Sequence, residues 1–129
     1  ILSYKIKDMH LRTAKRLASQ YLDKCTEVYG YSKHHETTPY IEFQPYLYSV
    51  YTEEDHTEAE YIYDYNTIVI YYKQMKDAEH LAKSIVHEYQ HYIQSPSWYT
   101  RYYTMGYNYS DHPYELAAYA EEDNWKKVT

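Results

Sequence analysis

The chain of 129 residues holds a single cysteine, Cys25, so no disulfide can form within it. It has one phenylalanine, Phe43, and only two glycines, and so few glycines beside 19% aromatic residues argue against disorder. Basic residues are the minority, 13 against 19 acidic, and the net charge is −6 with neutral histidines. Duplex nucleic-acid binding draws its affinity from lysine and arginine on phosphates, so no nucleic-acid partner is expected. The longest apolar stretches run for a few residues, far short of the roughly 20 that cross a bilayer, and no membrane partner is expected either. No basic-then-apolar leader follows Ile1. That weakly favours the cytoplasm, with a removed segment left open.

What is abundant is tyrosine, with 22 copies. Tyrosines make up a large part of the 44% hydrophobic content, so the aliphatic supply is lean and tyrosine must furnish buried area. The length suits one domain, residues 1–129.

Apolar residues recur at three- and four-residue spacings from 8 to 28 (Met9, Leu11, Ala14, Leu17, Ala18, Tyr21, Leu22, Cys25), which predicts a first helix. Asp8 is its expected N-cap and Gly30 its stop. Residues 40–43, 46–52, 61–65 and 67–72 read as short strands, with 53–60 as an acidic turn. The expected sheet has three or four mainly antiparallel strands. Asp77 caps a second helix over 78–94, residues 97–110 form a connection, and Pro113 opens a third helix. Helix, small sheet, helix, loop, helix is an α+β order.

The second helix carries His87-Glu88-Tyr89-Gln90-His91. Histidines at i and i+4 lie one turn apart on one face, so both imidazoles reach a single metal ion. The intervening Glu88 is placed to contact a water on that metal, not the metal itself. A catalytic zinc site usually has three protein ligands. The spaced histidine of the HExxHxxGxxH pattern is missing, since Gln94 and Ser97 occupy its glycine and histidine places. Glu115, in the first turn of the third helix, is the preferred third ligand, with Asp111 and His112 as alternatives.

At these residues, His87-Glu88-x-x-His91 and Tyr114-Glu115-Leu116-Ala117-Ala118-Tyr119-Ala120, the sequence resembles the gluzincin metallopeptidases, above all the single-domain minigluzincins. The order of elements is similar too. The resemblance implies a zincin-like fold, with a backing helix, a small sheet, an active-site helix and a glutamate helix. It implies one zinc ion bound by His87, His91 and Glu115, with Glu88 as general base. It also implies a peptide or protein substrate paired along an edge strand, with residues 67–72 as the expected edge. Many gluzincins place an acidic residue four positions after the glutamate ligand; here that position is Tyr119, and Glu122 or Tyr119 is left to support the ligand histidine. Amide hydrolysis at such a site needs a donor for the developing oxyanion. Tyr107, Tyr109, His112 and Tyr114 are candidates, with Tyr109 and His112 preferred.

Other signals read more blandly. His80 is expected at the surface or in support of a ligand, His34-His35 in a solvated loop, and Cys25 in the core. The run of Glu53, Glu54, Asp55, Glu58 and Glu60 is expected to be a solvated turn, although near an active-site edge it would favour basic substrates or hold calcium. Two further functional classes stay open: a zinc-containing regulatory or structural domain without proteolysis, and a tyrosine-rich binding or assembly domain.

Overall fold

The computed structural model describes residues 9–108 and 111–129. Helix α1 (Leu11–Tyr29) buries Ala14, Ala18, Tyr21 and Cys25 of the expected stripe, while Met9, Leu17 and Leu22 are partly buried and Leu11 is exposed. Its N-cap is His10, and the expected cap Asp8 lies outside the described residues. Gly30 ends the helix at φ 77°, a left-handed conformation that glycine enters without a Cβ clash, and its N–H bonds to the Thr26 carbonyl. Strands β1 (Tyr40–Gln44), β2 (Ala59–Ile62) and β3 (Thr67–Tyr71) follow, then helices α2 (Ala78–Ile93), α3 (Pro96–Thr104) and α4 (Pro113–Glu121). A 3-10 turn (Glu122–Lys127) closes the chain.

The fold is α+β, with a sheet that differs from expectation in two ways. It is mixed: β1 pairs parallel with β3, and β2 pairs antiparallel. The strand order is β1-β3-β2, so β3 is the centre and has no free edge. The edge expected over 67–72 is therefore not one, since Thr67–Tyr71 is paired on both sides and Tyr72 lies in a 3-10 turn; among the described residues the free edges belong to β1 and β2. The physical reason is burial. Ile68, Val69 and Ile70 have no exposed surface, and an unbroken β-branched run is the mark of a strand covered on both faces.

Three local expectations also shift. Residues 46–52 form no named strand, only an isolated Tyr48–Asp55 bridge, because Pro45 interrupts and Tyr46, Leu47 and Val50 face solvent. The strand expected over 61–65 begins earlier, at Ala59, and ends in a turn at Tyr63–Tyr65 with Asn66 left-handed. The connection expected over 97–110 contains α3. Proline suits a first helical position, nothing from Ser97 to Thr104 breaks a helix, and Gly106 comes just after it.

Helix α2 is the centre of the molecule, touching α1, β2, α4 and the final turn. Leu81, Ala82, Ile85, Val86, Tyr89 and Tyr92 pack with Ile68 and Ile70 of the sheet and Tyr21 and Cys25 of α1. Large buried tyrosines satisfy their hydroxyls by donating to acceptors at the core boundary: Tyr92 to the Thr37 carbonyl at 3.0 Å, Tyr89 to the Gly30 carbonyl, and Tyr71 to Glu60. Cys25 is fully buried in the core, and burial pushes its thiol up to about 12.

Candidate metal centre

Asp77 accepts a hydrogen bond from the His80 backbone N–H at 2.8 Å and fixes the start of α2. From there, helical periodicity carries His87 and His91 to the same face, with ring centroids 5.0 Å apart. Helix α4 brings Glu115 against them. One of its carboxylate oxygens lies 2.7 Å from His87 Nε2 and the other 3.1 Å from His91 Nε2. All three side chains are buried.

Both imidazoles are held from behind. His87 Nδ1 donates to the Glu122 carboxylate at 2.7 Å, which can only accept. His91 Nδ1 donates to Gln94 Oε1 at 2.8 Å, while Gln94 Nε2 donates to the Tyr114 carbonyl at 3.1 Å. The carbonyl fixes the amide orientation, and the amide fixes the imidazole. With protons on Nδ1, both Nε2 lone pairs aim at the Glu115 oxygens, acceptor against acceptor. Protons or a metal cation must sit between them. Histidines that ligate metals are commonly oriented by a second row of acceptors of this kind, so the arrangement is compatible with a metal ion.

Glu88 stands apart from this set. One of its oxygens comes within 4.8 Å of the ligating nitrogens of His87 and His91, so the three residues form a group able to hold a metal ion. Two carboxylates thus compete for the ligand role, and their partners separate them. Glu115 meets both Nε2 atoms directly, whereas no donor among the described residues reaches the Glu88 side chain. Glu88 lines both cavities beside the site, of about 380 and about 300 Å³. Burial raises its pKa, and the two histidines only partly oppose that.

The remaining predicted residues fall in different places. Asp111 is exposed, and His112 is buried at the N-cap of α4, its Nδ1 accepting from the Tyr114 N–H at 3.0 Å. Of the three ligand candidates beyond the helix motif, the structure brings Glu115 to the histidines. His112 lines neither cavity. Tyr109 lies outside the described residues. The Tyr114 ring stacks on His91 at 4.3 Å and borders the smaller cavity. Tyr119 packs edge-on to His87 at 4.6 Å, and it is Glu122, one turn further, that takes the supporting carboxylate role. Gln94 went unnoticed as a support; its signal was the i+3 position from His91 on one helical face. His35 stacks on Tyr92 and meets the Tyr61 hydroxyl at 2.9 Å, which accounts for it without a metal.

Without metal, His87 and Glu115 form a buried ion pair. Burial would lower the His87 pKa, but hydrogen bonds to Glu115 and Glu122 raise it to about 10. Burial would raise Glu115, but the hydrogen bonds from His87 and His91 hold it at about 2. The histidine contribution is complete below its usual 6.5 and is lost as pH rises through about 10. The carboxylate contribution is complete above its usual 4.5 and is lost as pH falls through about 2. Chelator-treated protein should therefore melt highest between pH 4.5 and 6.5 in a thermal scan, with Tm falling on both sides. A Tm that keeps climbing to pH 9 would contradict the pair.

Comparison with protein families, curated proteins and solved structures gives no match for this chain.

Proposed function

We propose that the protein is a zinc-dependent peptidase of gluzincin type, in a zincin-like fold whose active-site helix is α2 and whose glutamate helix is α4. The observation that carries this reading is the convergence of His87 Nε2, His91 Nε2 and the Glu115 carboxylate, each imidazole locked from behind. Two nitrogens and one carboxylate on two helices are a donor set that suits zinc and leaves a coordination position open. Bound zinc would supply Lewis acidity, making water a nucleophile near neutral pH and polarising the scissile carbonyl.

The chain's own groups do the rest. Glu88 takes the proton of the attacking water and passes it to the departing amine nitrogen; its raised pKa suits a group that must hold the proton between the two steps. Glu122 and Gln94 keep the imidazoles aimed while charge at the site changes. The peptide lies along β2, the free edge beside the cavities, and not along β3. Extended main chain bonds to main chain there, which positions substrates of varied sequence. The cavities on either side of Glu88 favour this reading over a closed structural zinc site.

The test is cleavage of a fluorogenic peptide library by protein purified without chelator. Cleavage should vanish on chelation and return with one equivalent of zinc. A protein that binds zinc stoichiometrically yet cleaves nothing in the library would point to the regulatory or structural alternative.

A further inference from the structure

The larger cavity holds a second piece of chemistry. It runs from His87 and Glu88 past the start of β2, and its far wall is the loop carrying Glu54, Asp55 and Glu58. Ala59 is the single aliphatic side chain in its wall, so it offers little to an apolar residue. Lys83 borders it, but its ammonium is paired with Glu79 at 3.1 Å on its own helix.

Glu58 is fixed at both ends. Its carbonyl accepts the Tyr71 N–H at 3.1 Å, continuing the β2–β3 ladder. Its carboxylate meets His80 Nε2 at 2.9 Å. His80 Nδ1 already accepts the Lys76 backbone N–H at 3.0 Å, so the ring carries its one proton on Nε2 and is neutral. The contact therefore positions the Glu58 carboxylate without cancelling its charge. Independently, Glu88 enters the same cavity as a carboxylate 7% exposed with no donor on it among the described residues. Both carboxylates line this one cavity, so a ligand occupying it would meet both.

Strand β2 gives the direction. It runs from Ala59, beside the acidic wall, to Ile62, beside the smaller cavity. A peptide pairing antiparallel to it passes Glu88 and then enters the acidic end, so that end receives residues on the C-terminal side of the cut bond.

We propose that this end of the cleft is the subsite for a lysine or arginine side chain immediately C-terminal to the scissile bond, with Glu58 as its anchor and His80 as the residue that positions Glu58. The inference rests on the peptidase reading, and its test separates the two. Zinc-loaded Glu88→Gln protein is titrated with labelled peptides that differ only by Lys, Leu or Glu at that position. The lysine peptide should bind about fivefold more tightly than the leucine peptide, in line with one partly exposed charge pair. Adding Glu58→Gln should remove that preference and leave leucine-peptide affinity unchanged. In parallel, protein with Glu88 intact should cut the lysine peptide just before the lysine. A binding preference that disappears with Glu58→Gln, but without cleavage, supports the subsite and counts against proteolysis. Cleavage indifferent to the basic residue overturns the subsite and leaves proteolysis standing. Equal or absent binding of all three peptides overturns the subsite.

Discussion

Replacing Glu88 by glutamine lowers peptide hydrolysis by about 10³-fold, the size expected for losing a general base, with zinc content unchanged. The substitution is close to isosteric, and Glu88 holds no hydrogen bond among the described residues that the fold would lose. Burial already disfavours a charge at this position. The variant should therefore melt no lower than the parent. Activity measured on the fluorogenic library, beside elemental analysis of the same sample, reads both halves. Activity within a few-fold of the parent would remove Glu88 from the mechanism, and loss of zinc along with activity would make Glu88 a ligand.

Glu115→Gln produces the complementary pattern. Removing the carboxylate charge costs a ligand, and zinc affinity in a competition titration should fall by about 100-fold or more. It also strips His87 of one of its two carboxylate partners. Breaking a buried pair by removing one member leaves the other charge uncompensated, so the metal-free variant should lose about 3 kcal/mol in denaturant unfolding. Part of that loss is relieved because Glu122 still accepts from His87 Nδ1. An unchanged zinc affinity would place the third ligand elsewhere.

Much of the centre was legible in the sequence, because helices report themselves locally. The i, i+4 spacing of His87 and His91 fixes a shared face wherever a helix forms, and the Asp77 cap together with the apolar stripe guaranteed that helix. Glu115 was readable because Pro113 marks a helix start and places the carboxylate in the first turn. The failures are non-local. Which strand is central depends on pairing between segments far apart in sequence, so β3 was mistaken for an edge although its unbroken β-branched run argued otherwise. Helix α3 was hidden by tyrosines, whose propensity is middling and whose packing decides. Gln94 was not legible as a support because α4 must first bring it the Tyr114 carbonyl, and Glu58 was legible only as part of an acidic turn that would favour basic substrates or hold calcium near an active-site edge, since its contact with His80 of α2 exists only in the fold. The described tyrosines are spread through the fold, with Tyr71, Tyr89 and Tyr92 as core and Tyr114 stacked on His91 of the candidate metal centre.

X-ray absorption at the zinc edge, on protein loaded with one equivalent of zinc, tests the central claim most directly. The account predicts two imidazole nitrogens and carboxylate or water oxygens at about 2.0–2.2 Å, with one imidazole lost in His91→Ala and the signature kept in Glu88→Gln. A spectrum with sulfur in the shell, or one unchanged by His91→Ala, would contradict it.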